Sequence, residues 1–405
     1  MRNLLGVAMI GFLVASPTLA APSTSAQKIS LEALLKRSET SHSDAMVIWQ
    51  DGREIGHYYK NGKAPGPIDL MSVTKSVVAL GVAQLVAEGK IKSFDQAVAD
   101  FYPEWRQGRK KNITIRMLMN HTSGMQNVMN TTVEIYPAPD AIQLALAAEI
   151  VGNPGTDPSY NNKAVNLLAG IIEKASGKPM DVFFRDGLFK SMDIKPGPWE
   201  KDKTGHPYGM AGLSLTAADL GKIGQLMLDK GQWHGKRLLP VNVVDALAQP
   251  QADATMGLLW WLDPAYRHFD YDPAAPDVLR KRGVPEATIL ALQEGLRGSH
   301  FDDVEAMQEG IAKALGPDHK DALRDELISR GIGPYRLFKV TTGPAVSISG
   351  NGDGGQYVVV VPSAKIVAVR QIDAEGSQEQ EGEGFEDFVQ RVLDVAGPSA
   401  KAMAH

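Results

Sequence analysis

The sequence predicts a mixed α/β (α+β) fold: an antiparallel sheet built from both chain ends, flanked by helices, with a mainly helical lobe inserted. Three observations predict it. Short apolar runs rich in β-branched residues, bounded by turn residues, cluster at 45–59 and again at 345–370. Between them, from about residue 95 to 260, helical patterns and loops dominate. A further block, 264–335, carries several helix starts, few aromatics and many charges. Strands at both ends with helices between them suggest one sheet shared by the two termini. The expected division is 28–100 with 335–398 as the sheet domain, 101–263 as a helical domain, and 264–334 as a helical insertion. That insertion would be a lid over the site or an association surface.

The elements follow in order. Met1-Arg2-Asn3, the apolar run Leu4 to Val14 and the small residues of Thr18-Leu19-Ala20 have the pattern of a bacterial-type signal peptide, residues 1–20, cut after Ala20. The mature chain is therefore expected outside the cytosol, periplasmic or secreted. The apolar run is too short for a stable membrane span. Residues 22–28 are expected to be flexible and Leu31–Arg37 helical. Ala45–Gln50, Asp51-Gly52 and Glu54–Tyr59 form a hairpin pattern around a two-residue turn. Residues 72–88 are apolar nearly all round, which predicts a buried helix, ended where Gly89 can turn left-handed. Lys163–Ser176 is amphipathic and stops at Gly177, and Thr216 opens another helix with a capping start. In the insertion, helices are expected near Pro276, Pro285, Phe301 and Pro317. Strands follow at 335–341, 345–349, 357–361 and 365–370, and a last helix at 382–395.

Composition bounds the function. The chain has 405 residues, 43% hydrophobic and 22% charged, enough for a large core. A net charge of -5 gives no electrostatic case for nucleic acid or an anionic membrane surface. With no cysteine there is no disulfide, no thiolate metal site and no cysteine nucleophile. No His-Glu-x-x-His or similar spacing is present, so neither a metal nor another cofactor is expected. The sequence sets no oligomeric state.

Ser72-Val73-Thr74-Lys75 opens the buried helix, and on a helix Lys75 lies one turn from Ser72 on the same face. A serine hydroxyl needs a base to become a nucleophile, and a desolvated lysine amine is one. Spacing alone does not single the pair out: Ser25-Ala26-Gln27-Lys28 repeats it without an apolar helix behind it.

Several further segments, in order, give this pair company: Glu88-Gly89-Lys90-Ile91, Ile113 to Leu118 with His121-Thr122-Ser123-Gly124, Tyr160-Asn161-Asn162, Gly257 to Trp261, and Gly354-Gly355-Gln356. With them the chain resembles the serine β-lactamase-like hydrolases: class C β-lactamases, penicillin-recognising D-alanyl carboxypeptidases, related esterases and 6-aminohexanoate-dimer hydrolases. The resemblance covers roughly 43–262 and 347–372 and implies the β-lactamase/transpeptidase-like fold. It implies that Tyr160 relays protons between serine, lysine and leaving group, and that Asn162 helps hold Lys75 and a substrate amide or carbonyl. A phenol beside a cationic group is also easier to ionise. A second Tyr-x-Asn, Tyr59-Lys60-Asn61, sits inside the hairpin.

The third motif of these families is usually Lys-Thr-Gly or His-x-Gly. Here Ser349 to Gln356 stands in its place with neither lysine nor histidine. This departure points away from β-lactams and toward the esterase and 6-aminohexanoate-dimer hydrolase members. The oxyanion hole implied is the backbone N–H of Ser72 with one from Gly352, Asp353 or Gly354, Asp353 being preferred. Each such donor is worth about 3 kcal/mol of transition-state stabilisation. His121 is read as structural, since no Gly-x-Ser-x-Gly elbow is present. Trp260 and Trp261 are read as core. The reading is an exported serine hydrolase of a small ester or amide, working through an acyl-enzyme, with Lys75 or Tyr160 as base. Two others stand beside it: a penicillin-recognising carboxypeptidase or β-lactamase, and a catalytically silent binding protein on the same scaffold.

Overall fold

Alternate side chains of the central strands feed two separate cores, and this sets the layering. The computed structural model describes residues 24–156, 158–330, 332–373, 385–398 and 400. The expected signal peptide, 1–20, lies outside the described residues.

Nine strands matter here: β1 (Ala45–Gln50), β2 (Arg53–Tyr59), β3 (Trp261–Pro264), β4 (Arg267–Tyr271), β5 (His300–Phe301), β6 (Phe338–Thr342), β7 (Ala345–Gly352), β8 (Gln356–Val361) and β9 (Ile366–Gln371). The main sheet is antiparallel in the order β2-β1-β9-β8-β7-β3, so strands from both chain ends meet where β1 pairs with β9. On β8, Val358 and Val360 face one core while Val359 and Val361 face the other. On β1, Ala45 and Val47 go with the first pair and Met46 and Ile48 with the second. This is the period-2 alternation of a sheet covered on both faces, which is why the valine run is continuous. Each such buried valine, isoleucine or methionine stabilises by about 1.5–3 kcal/mol.

The principal helices are α1 (Ser25–Thr40), α2 (Val73–Ala87), α3 (Asn162–Ser176), α4 (Ala217–Leu228), α5 (Glu286–Leu296), α6 (Val304–Leu315) and α7 (Phe388–Ala396). Helices α1 and α7 cover one face of the sheet, and α2 and α4 the other, where α2 also packs on α3. Helix α2 is buried on nearly every side, as its uniform apolarity requires. Asp51 and Gly52 take positive φ, 50° and 71°, in the β1–β2 turn, where a two-residue hairpin of this hand needs both residues left-handed.

Two expectations change. Helix α1 starts at Ser25, not near Leu31, because the Thr24 side chain accepts the Gln27 N–H and caps it. The block 264–335 is not wholly helical. It contributes β4 and β5, and β6 pairs with β4 rather than with the main sheet, forming a three-stranded sheet β6-β4-β5. Its apolar face, with Phe269, Tyr271 and Phe338, packs on α5 and α6 in a third core. Helical punctuation is conspicuous in this block, while strands of two to five residues leave too short a period to read. Among the described residues no helix is long and apolar enough to cross a membrane.

Candidate active site

Ser72 stands at the N-terminal boundary of α2 with αR backbone angles and caps nothing with its side chain. Met71 before it is left-handed, φ 48°, and donates its N–H to Asp69 Oδ1 at 2.8 Å. A non-glycine residue held there costs on the order of 1–3 kcal/mol, borne because the surrounding structure fixes it. One turn on, Lys75 Nζ lies 2.8 Å from Ser72 Oγ and donates to the Met210 carbonyl oxygen at 2.8 Å. Lys75 is 4% exposed. Burial alone pulls its pKa down to about 7, because the amine loses water and gains no carboxylate.

Tyr160 precedes α3 and donates to Ser72 Oγ at 3.0 Å. Lys75 Nζ also sits 4.9 Å from the centre of its ring. The expectation that this phenol ionises easily is reversed: burial pushes its pKa up to about 12, Asp353 adds to the rise, and the Ser72 hydrogen bond only partly offsets it. Desolvation outweighs a neighbouring amine that is itself poorly charged. Near neutral pH the pair is thus a phenol and a half-titrated amine, both against one hydroxyl.

His121 clamps the tyrosine from both sides. Its carbonyl takes the Ser159 N–H at 2.8 Å and its Nδ1 takes the Asn161 N–H at 3.1 Å, while its ring lies 4.5 Å from that of Tyr160. Burial, with Lys75 adding to it, holds its pKa down at about 3, so the imidazole is neutral. Its acceptor nitrogen is already used, which suits positioning rather than proton transfer. Asn161 caps α3 by accepting the Ala164 N–H. Asn162 is buried beside it, but its Oδ1 has no hydrogen-bond partner among the described residues. The described partners of Lys75 are Ser72 and the Met210 carbonyl, with Asn162 not among them.

The glycine segment arrives as the end of β7. A Cβ on Gly352 would stand 2.6 Å from the Leu70 carbonyl oxygen, and one on Gly350 2.8 Å from Ser76 Oγ. Only glycine lets β7 pass this close to the start of α2. The turn Asp353-Gly354-Gly355 follows, braced by the fully buried Arg370, which donates to the carbonyls of Gly354 and Gly355 at 2.8 and 2.7 Å. Among the described residues, neither the Ser72 nor the Asp353 backbone N–H has an acceptor. The decoys lie elsewhere: Ser25 and Lys28 are exposed on α1, and Tyr59 ends β2.

Ser72, Lys75, Ser76, His121 and Tyr160 line a narrow crevice together with Trp261 and Asn351. Trp260 is core, as expected, whereas Trp261 faces the crevice. Trp261 and Asn351 also line an adjoining cavity of about 850 Å³, lined too by Arg267 of the inserted block and by Tyr335, Arg336 and Thr342 where the chain leaves it. Met210 and Arg370 carry no motif and are found only through their contacts, and Asn351, inside the 349–356 segment, gains its place at the crevice only from the structure.

With this geometry the comparisons are decisive at the level of family. The model of the Beta-lactamase family matches residues 31–386. The chain belongs to the beta-lactamase family. Within it, a 6-aminohexanoate-dimer hydrolase of Paenarthrobacter ureafaciens is 24% identical over 232 residues, 53% of this chain and 59% of that protein. Esterase EstB of Burkholderia gladioli is 31% identical over 130 residues, 27% of this chain and 33% of the esterase. The matches thus span less than two thirds of these curated relatives. A beta-lactamase/D-alanine carboxypeptidase structure from Pseudomonas syringae superimposes with a TM-score of 0.56 at 15% identity, covering 92% of this chain and 100% of its own. That likeness supports the beta-lactamase-type fold and no more.

Proposed function

We propose that this chain is a serine hydrolase that cleaves a small ester or amide through an acyl-enzyme. The observation that carries the reading is the convergence of a buried, half-titrated Lys75 amine and the Tyr160 phenol on one serine oxygen, within 3.0 Å. In this mechanism the Lys75 amine takes the Ser72 proton as Oγ attacks the carbonyl carbon. The carbonyl electrons move to oxygen, held by the N–H groups of Ser72 and Asp353. As the tetrahedral adduct collapses, the leaving group departs with a proton passed through the Tyr160 hydroxyl. Water then attacks the acyl-enzyme and the same groups return their protons. Lys75 is the base because its pKa is near neutrality, whereas a phenol at about 12 is a proton relay and acid.

Asn162 is placed by this reading as a substrate-binding amide, its unpartnered oxygen being available. The inserted block and the residues that close it serve as a wall of the substrate cavity, through Arg267, Tyr335 and Arg336. Export rests on the pattern of residues 1–20.

The test is intact-mass spectrometry after a fluorophosphonate probe. Wild type gains one adduct and Ser72→Ala none. Equal labelling of the two would refute the mechanism. Turnover of p-nitrophenyl esters without turnover of nitrocefin would separate the esterase reading from β-lactam recognition.

A further inference from the structure

The inserted sheet β6-β4-β5 has two unlike faces. Strands β4 and β5 are in register with Asp270 opposite His300 and Phe269 opposite Phe301. Residues of even number therefore share one face and residues of odd number the other. The odd face, with Phe269 and Tyr271, is apolar and packs on the insertion's own helices. The even face carries His268 and Asp270 on β4, His300 on β5 and Asp302 just beyond it.

These four groups converge. His268 Nδ1 and His300 Nε2 lie 2.9 and 3.2 Å from the same oxygen of Asp302. One ligand atom from each of His268, His300 and Asp302 falls within 4.8 Å of the others. Ligands about 2.1 Å from a tetrahedral zinc stand roughly 3.4 Å apart, so the spacing suits a cation among them. Two further observations point to a metal rather than a plain ion pair. The His268 Nδ1 is buried and forms no hydrogen bond among the described residues, although a carboxylate oxygen lies 2.9 Å away. The nitrogen is near that oxygen but not aligned on it for a hydrogen bond, whereas a cation bound to both atoms needs no such alignment. His300 is oriented from behind: its Nδ1 is 2.7 Å from Asp270 Oδ1, the carboxylate–histidine arrangement that fixes the other ring nitrogen as a ligand.

We propose that His268, His300 and Asp302 bind one divalent transition-metal ion of the zinc type, with Asp270 orienting His300 and water completing the shell. Two imidazoles and a carboxylate are the donor set such ions take, and calcium or magnesium would require an all-oxygen site. The ion has a structural task here. Strand β5 is only two residues long, His300–Phe301, and ligands on both sides of the β4–β5 pair staple it in place. Arg267, the first residue of β4, lines the cavity beside the Ser72 crevice, so the staple also steadies a wall of that cavity. The site was not legible as a motif because its ligands lie on two segments some thirty residues apart and meet only through strand register.

The full chain, stripped with chelator and titrated with zinc chloride by calorimetry, checks this, with the bound ion counted by elemental mass spectrometry after desalting. Wild type is expected to bind one equivalent and to melt at a higher temperature when loaded. His268→Ala and His300→Ala should each lose the bound equivalent, and Asp270→Asn should weaken binding about 10- to 100-fold. His234→Ala, an exposed histidine elsewhere, should bind as wild type. Circular dichroism and fluorophosphonate labelling of Ser72 establish that the variants are folded. No saturable uptake by wild type, or equal uptake by folded His268→Ala and His300→Ala, would overturn the proposal, and neither result bears on the hydrolase reading.

Discussion

The pH dependence of ester hydrolysis is the sharpest consequence of the Ser72–Lys75–Tyr160 geometry. An ordinary lysine, with a pKa of 10.5, leaves about 0.03% of its amine neutral at pH 7. With burial bringing the value to about 7, roughly half is neutral there, about one tenth at pH 6 and about nine tenths at pH 8. If the neutral amine of the free enzyme is the base, kcat/KM must rise about tenfold from pH 6 to pH 8. It should then stay level into the alkaline range, since the Tyr160 phenol ionises only near 12. His121 cannot supply the limb, because its pKa lies near 3. Asp263 could imitate it: buried against Ser347 and Ser349 beside the cavity, its carboxyl is pushed up to about 6 by desolvation. The assay is therefore kcat/KM for a p-nitrophenyl ester between pH 5 and 9 in wild type, Asp263→Asn and Tyr160→Phe. The rising limb should persist in both variants, with Tyr160→Phe slower by about 10²–10⁴. A flat profile between pH 6 and 8, or a limb abolished by Asp263→Asn, would refute Lys75 as the base.

Three further predictions follow from the same contacts. Because unfolded Lys75 binds a proton up to about pH 10.5 while the folded group releases it near 7, stability should increase with pH across that window, and urea melts of Lys75→Met should show a shallower rise. Arg370→Met leaves the Gly354, Gly355 and Ser41 carbonyls without their buried donor, so unfolding free energy should fall by about 2–4 kcal/mol and kcat should drop more than KM rises; unchanged kcat in a folded variant would argue against the turn as an oxyanion support. Gly352→Ala forces a Cβ to 2.6 Å from the Leu70 carbonyl oxygen, which is backbone and cannot swing away; kcat is expected to fall at least about tenfold at near-constant KM, measured on the same ester.

The sequence by itself determined the sheet shared by the two termini, the buried helix behind Ser72, the Asp51-Gly52 turn and the stop at Gly177. It did so because hydrophobic period and turn chemistry are local properties, written within a few residues. The proposed nucleophile and its two proposed partners were also legible, chiefly as motifs in order, since Ser25-x-x-Lys28 and Tyr59-x-Asn61 carry the same letters. Tertiary structure separated them further, burying Lys75 against Ser72 and Tyr160 while leaving Ser25, Lys28 and Asn61 exposed. It also decided what local patterns cannot encode. Desolvation, a property of everything packed around Lys75 and Tyr160, set the amine near neutrality and the phenol far above it. The Met210 carbonyl and the His121 Nδ1 contact lie 135 and 40 residues from the groups they hold, and Arg370 ties the glycine turn to Ser41, 329 residues away. The strands of the inserted block were missed for a related reason: β5 has two residues, too few to show a period, and its pairing with β4 exists only once the chain has closed the loop between them.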